Sequence, residues 1–197
     1  MKNKPSQEFI NLRHRFSRVI EMHLAYQVFN LGEIKLGNQT VLSSEVQTRQ
    51  ITHSLLIAFY SYLYSLFDKP KDAISFIDVF NEIKKNNHTA IDLIAIGDII
   101  EDEWSKIEPN IRDLRHKIGF HFSKSFKSSR YGYDQFEKIH PLTPYIILHG
   151  LRFFFRTSLK YYDFDENYID KPDDCDLQEY ITFLNDRIAE RDSIKFE

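Results

Sequence analysis

The feature that most constrains the fold is a long stretch of chain that contains neither glycine nor proline. It lies between Gly37 and Pro70, and its later part reads FYSYLYSLF. The alternation within that short segment would also fit a strand. However, an uninterrupted run of more than twenty residues favours a buried helix. The sequence therefore predicts a helix that is capped by Ser43 or Ser44 and runs to about Phe67.

Helical spacing of apolar residues recurs along the rest of the chain, and several of the six glycines and six prolines fall where these runs end. Further helices are predicted over residues 5–30, 72–85, 90–107, 110–122 and 144–162, with a last one from Asp173 or Asp174. Asp72 and Thr143 are the expected N-caps, Pro109 the expected break, and Gly97 either a close-packing point or a weak spot. The pattern predicts an all-α bundle of six or seven helices.

The length and the lone cysteine limit the class of protein. A chain of 197 residues suits a single helical domain over residues 1–197, with 163–197 as an acidic C-terminal helical appendage. Cys175 alone gives no disulfide framework and no thiolate zinc site, which fits a reducing compartment. The N-terminus lacks the apolar core of a signal peptide, and Arg152 and Arg156 interrupt the most apolar long run. We therefore expect a soluble, cytoplasmic protein that does not enter a membrane.

Charge is sorted along the chain. Residues 112–130 hold six Lys or Arg against one acid, Asp113, whereas the tail from Asp163 holds twelve acids against four bases. The net charge of −3 argues against a general nucleic-acid coat, but a local basic patch still binds phosphates. The candidate RNA-contacting cations are Arg112, Lys124, Lys127 and Arg130.

Within this basic stretch, Arg115 and His121 are the candidate catalytic pair. RNA carries its own nucleophile, the 2′-hydroxyl, so a protein that cleaves RNA needs a group to take that proton and a group to stabilise the phosphorane. Histidine suits the first task because its pKa lies near neutrality, and arginine suits the second because its fork matches phosphate oxygens. His116 and Lys117 are the expected assisting residues. No cofactor and no metal are needed for this chemistry.

The segment Arg-His-Lys-Ile-Gly-Phe-His, residues 115–121, resembles the motif of the HEPN superfamily, in which arginine is followed after four to six residues by histidine. His116 matches the polar residue that commonly follows the family's arginine. Members are small helical bundles, and many are metal-independent endoribonucleases of toxin–antitoxin, abortive-infection or CRISPR systems. The resemblance implies a homodimer in which Arg115 and His121 of both chains form one site. The family often adds a polar residue from its second helix, but no position here is matched to it.

A second arginine–histidine pair has similar spacing. Arg18 and His23 are separated by four residues in the first helix. On a helical wheel His23 lies near the apolar face and Arg18 on the opposite, solvated side, so this pair is interpreted as structural.

Plain structural roles remain open for the residues of the main pair. His121 fits a histidine near a helix C-terminus, packed between two phenylalanines. Arg115 fits an ion pair with Asp113 or with the acidic tail. Asp113 and His116 lie three residues apart, as metal ligands do, but no second pair with Glu-x-x-His spacing accompanies them.

The leading hypothesis is a homodimeric, metal-independent endoribonuclease acting on single-stranded RNA in a toxin–antitoxin or phage-defence system, with an antitoxin protein as a possible partner. The alternative is a non-catalytic helical module that binds RNA, a nucleotide or a protein through the same basic patch. A third reading, plain structural dimerisation, predicts that substituting Arg115 or Lys127 leaves nucleic-acid binding unchanged.

Overall fold

The computed structural model describes residues 2–30, 35–36, 39–40, 45–68, 74–116, 134–164 and 177–194. These residues form seven helices, which confirms the prediction of an all-α chain. The helices are α1 (Gln7–Asn30), α2 (Glu45–Phe67), α3 (Phe76–Asn86), α4 (Ile91–Leu114), α5 (134–137), α6 (Leu142–Ser158) and α7 (Leu177–Ser193). The extended pairing in the described part is limited to a two-residue hairpin, Lys35–Leu36 with Gln39–Thr40, and one isolated bridge.

The core is built around α4 and α6, which pack along each other, while α1 packs along α2 and α7 packs on α6 and α4. Phenylalanines supply much of the buried volume. Phe9, Phe76, Phe80 and Phe154 are all at most 2% exposed and contact one another's rings. Because large aromatic side chains bury the most apolar area, they hold the helices together. None of the helices in the described residues combines the length and the apolar character that a bilayer crossing requires.

The ambiguous aromatic segment of α2 is helical, and its burial pattern shows why. Tyr60 and Tyr64 are buried, whereas Tyr62 between them is 45% exposed. Residues four apart share a helical face, and a residue midway between them points away. Tyr60 and Tyr64 therefore belong to the core, whereas Tyr62 faces solvent.

α4 continues through Pro109, so the predicted break there is wrong. Proline removes one backbone donor, but Pro109 is exposed, and Ile107 and Ile111 on either side of it are fully buried. Packing of this apolar face outweighs the lost hydrogen bond, because tertiary burial provides most of the stability of protein helices. Residues 110–114 thus belong to α4 and do not start a separate helix.

Two predicted helix starts also differ. α3 is capped by Ser75 and not by Asp72: the Asp78 N–H donates to Ser75 Oγ at 3.3 Å, and the Ser75 N–H donates to the Asp78 carboxylate at 3.2 Å. Such a capping box satisfies two free backbone donors at once. α6 begins at Leu142 with Pro141 at the N-cap, so Thr143 lies inside the helix and is buried there.

Gly97 is a close-packing point between α4 and α3. A Cβ placed on Gly97 would overlap the ring of Phe80. Of the two roles predicted for Gly97, a close-packing point and a weak spot in the helix, the structure supports the first.

Candidate functional site

Arg115 lies at the C-terminal end of α4, where the last turn widens into a π-type turn over Arg115 and His116. Its guanidinium crosses to α2. Arg115 Nη1 donates to Asp68 Oδ2 at 2.6 Å, and the guanidinium carbon lies 4.9 Å from the centre of the Tyr64 ring. Both partners lie at the end of α2, where the Asp68 N–H donates to the Tyr64 carbonyl at 2.9 Å. The side chain of Arg115 is thereby held in one place yet remains 31% exposed.

A second arginine, Arg15, interacts electrostatically with the Asp68 carboxylate. Arg15 of α1 donates to the Ile74 carbonyl at 2.7 Å. Burial lowers the pKa of Arg15, and the Asp68 carboxylate opposes that shift. The Asp68 carboxylate therefore interacts with two guanidinium groups, those of Arg115 and Arg15. Burial, and then the Asp68 carboxylate, raise the pKa of the Tyr64 hydroxyl and keep it neutral.

Arg115 closes one end of an open groove that runs along the outer face of α2. The groove has a volume of about 520 Å³ and is lined by Ser54, Ile57, Ala58, Ser61, Tyr62, Ser65 and Arg115. Arg115 supplies the sole formal charge among these seven residues. The surface therefore combines one fixed cation, the hydroxyl groups of three serines and one tyrosine, and two apolar side chains, and it is large enough for a small organic ligand.

The other predicted site residues divide into two groups. His116 and Arg112 are exposed, and Arg112 forms an i, i+4 ion pair with Glu108 at 3.4 Å. Lys117, His121, Lys124, Lys127 and Arg130 lie outside the described residues. The structure thus places Arg115, His116 and Arg112 together on the last turns of α4, and the pairing of Arg115 with His121 stays a prediction.

The structure bears on the alternatives as well. Arg115 forms an ion pair with Asp68, a carboxylate that the structural alternatives for Arg115 did not include. Within the described part of the chain no group of three or more His, Cys, Asp or Glu side chains lies close enough to hold a metal ion. The two residues of the second arginine–histidine pair have different environments, as expected. Arg18 is exposed and bonded to Glu21, whereas the half-buried His23 ring lies 5.2 Å from that of Phe59.

Sequence reasoning missed Asp68, Tyr64 and Arg15. Asp68 lies 47 residues before Arg115, and no local pattern joins residues so far apart. The one signal available was that Asp68 directly follows the aromatic run of α2. An acid at that position lies where a helix packed beside α2 can bring an arginine to it.

Comparisons with protein-family models, with curated proteins and with solved structures find no match for this chain. Over the described residues, fold and site define an all-α protein of seven helices with a half-exposed arginine at the end of a groove.

Proposed function

We propose that this protein is a metal-independent endoribonuclease that acts on single-stranded RNA as a homodimer, in a toxin–antitoxin or phage-defence role. The observation that carries the proposal is the setting of Arg115. Its guanidinium is positioned by Asp68 and Tyr64, and about a third of the side chain is exposed. It borders a groove whose lining, over the described residues, includes no acid.

The chemistry requires few groups. His121 takes the proton of the 2′-hydroxyl, the 2′-oxygen attacks phosphorus, and the bond to the 5′-oxygen breaks. The leaving oxygen takes a proton from the imidazolium of the second copy, which leaves a cyclic phosphate and a free 5′-hydroxyl. Arg115 stabilises the charge that builds on the phosphorane oxygens, because a guanidinium fork donates two hydrogen bonds to them.

Two features support a site that is fixed before RNA arrives. The ion pair and the ring contact orient the Arg115 fork in the free protein, so little rotational freedom is lost on binding. The exposed side chains of Arg112 and His116 lie next to Arg115 and extend the polar surface along the end of α4. The resemblance of residues 115–121 to the HEPN motif supplies the assignment of His121 and the dimer.

The test is cleavage of a labelled single-stranded RNA in excess chelator by the wild type and by His121→Ala. The matched control is His88→Ala, because His88 is an exposed histidine in the turn between α3 and α4. We expect wild type and His88→Ala to cleave equally and His121→Ala to lose at least about 100-fold in rate. Equal rates for wild type and His121→Ala would overturn the proposal.

The rival function is a module that binds RNA through the same surface without cutting it. It is favoured by one observation, the direct ion pair of Arg115 with Asp68, which already provides the guanidinium with a carboxylate partner. The rival predicts salt-sensitive RNA binding that Arg115→Ala weakens, with the RNA recovered intact. A cleaved product that depends on His121 excludes this rival.

A further inference from the structure

The groove beside Arg115 is chemically divided. Arg115 supplies the guanidinium, and the other six lining residues in the described part of the chain are uncharged, with Ile57 and Ala58 as the aliphatic ones. A ligand that complements this surface has one anionic group at the arginine end and an uncharged, largely flat body beyond it. A peptide carboxylate would complement the cation alone, whereas a nucleotide complements both parts.

Tyr62 gives the uncharged part its character. It is the one tyrosine of the aromatic run in α2 that faces solvent, with 45% of its surface exposed, and it lines the same groove as Arg115. An exposed aromatic ring next to a phosphate-binding cation is the arrangement by which proteins hold unpaired bases, because every base presents a flat face that stacks on the ring. Because Tyr62 belongs to helix α2, its ring is held in position before a ligand binds, and no loop has to become ordered on binding.

The serines add polar contacts along the same wall. Ser54, Ser61 and Ser65 follow one another at spacings of seven and four residues, so they lie on one face of α2. The Ser65 hydroxyl donates to the Tyr62 carbonyl at 2.7 Å, which leaves its oxygen as an acceptor towards the groove. Hydroxyl groups suit base edges and the ribose 2′-hydroxyl alike, since both offer donors and acceptors.

We propose that this groove binds one unpaired nucleotide of the RNA, with its phosphate on Arg115 and its base stacked on Tyr62. The inference rests on the proposed function for the identity of the polymer. It goes beyond that function by assigning a base-binding subsite to α2, outside the basic segment in which the sequence motif lies. Tyr62 is then a binding residue that selects unpaired over paired RNA.

The test uses three small probes at equal ionic strength: adenosine 5′-monophosphate, adenosine and inorganic phosphate. NMR titration of the Ala58 methyl group reports on the groove directly and measures weak affinities. We expect the monophosphate to bind at least about 10-fold more tightly than either part alone. Tyr62→Phe, which keeps the ring, retains the affinity, whereas Tyr62→Leu, which keeps the apolar volume, loses about 10-fold, the effect of one lost stack.

The control is Leu24→Ala, since Leu24 is a similarly exposed apolar side chain on α1 that does not line the groove. We expect Leu24→Ala to bind adenosine 5′-monophosphate with the affinity of the wild type. Equal affinity of the wild type and Tyr62→Leu for the monophosphate would overturn the inference. So would a shift of the protein from dimer to monomer by Tyr62→Leu, measured by sedimentation, without any change in nucleotide binding, because the groove would then be a contact between copies.

Failure of the proposed function would look different. If wild type leaves RNA intact in chelator but binds the monophosphate through Tyr62, the nucleotide subsite stands and the ribonuclease does not. If RNA is cleaved at the same rate by wild type and Tyr62→Leu, and the monophosphate affinity is also unchanged, the ribonuclease stands and the subsite on α2 does not.

Discussion

Two arginine–carboxylate pairs anchored on α4 have opposite environments. In the middle of the helix, Glu103 is fully buried and bonds to Arg191 of α7, which is itself only 8% exposed. At its end, the side chains of Arg115 and Asp68 are 31% and 30% exposed, and Arg115 borders the groove. We call Glu103 with Arg191 the closed pair, because it is buried, and Asp68 with Arg115 the open pair, because it is partly exposed.

The difference follows from what surrounds each pair. Glu103 also accepts from Lys106 at 2.5 Å, and Arg191 lies 3.4 Å from Thr143 of α6, so the buried charges have protein partners. A buried pair of this kind fixes how helices dock, because removing one partner leaves a charge without solvation. The exposed pair contributes less to stability and remains accessible to an anionic ligand.

The largest effect on stability is expected at the closed pair. Arg191→Ala should lower the free energy of unfolding by about 3 kcal/mol, because Glu103 then keeps only Lys106 as a charged partner. Urea denaturation measures this change. The double variant Glu103→Leu with Arg191→Met, which removes both charges, should recover most of the loss. A loss below about 1 kcal/mol in the single variant would mean that the pair does not fix α7.

A smaller loss is expected at Gly97, in the part of α4 that packs against α3. Gly97→Ala places a methyl group against the Phe80 ring and should cost about 1–3 kcal/mol through overpacking. Thermal and urea unfolding both report it. Gly97→Ala combined with Phe80→Leu, which makes space for the methyl group, should be less destabilised than the sum of the two single changes. Simple additivity would show that the two residues are not in contact.

At the open pair the effect on stability should be smaller still. Arg115→Ala should lower the free energy of unfolding by about 1 kcal/mol or less, because partly exposed ion pairs are screened by water and salt. Asp68→Asn should have a similarly small effect. A loss as large as that of Arg191→Ala would place Arg115 among the structural residues and remove the contrast between the two pairs.

The smallest expected effect is a dependence of stability on pH. Burial, and next Arg152 and His23, lower the pKa of His149. A histidine with a lowered folded pKa stays neutral in the native state while the unfolded chain takes up the proton. The free energy of unfolding should therefore fall as pH drops below about 6.5.

The variant His149→Phe, which keeps a ring next to Tyr145 and Phe183, should weaken this dependence without altering the pH profile of RNA cleavage. Denaturation at several pH values measures the first and initial cleavage rates the second. If His149→Phe changed both profiles in the same way, His149 would be coupled to the RNA-cleaving site, which contradicts their separation.

Most helices of this chain could be predicted from the sequence, because the spacing of apolar residues along the chain indicates them. The stripe of Ile74, Ile77, Phe80 and Ile83 and the uninterrupted run before Phe67 each predicted a helix that the structure contains. Pro109 misled because the rule for proline is local, whereas the burial of Ile107 and Ile111 that holds α4 together is tertiary.

The candidate site could be predicted from the sequence only in part, because its residues are brought together by tertiary packing. Arg115 stands out through its charged neighbours in sequence, but the ring of Tyr62 belongs to α2, and the Arg115 partner Asp68, which directly follows α2, lies 47 residues before it. Sequence spacing carries no information on which helix lies beside α4. The groove could therefore be found only once the packing of α2 against α4 was known.

The most direct test of the contrast is the rate of single-stranded RNA cleavage in chelator by Arg115→Ala and by Arg18→Ala. Arg18 is the matched control because it also pairs with a carboxylate, Glu21, but lies away from the groove. We expect Arg115→Ala to lose at least about 100-fold in rate while it remains folded, and Arg18→Ala to cleave as the wild type does. Equal cleavage by the two folded variants would contradict a functional role for Arg115.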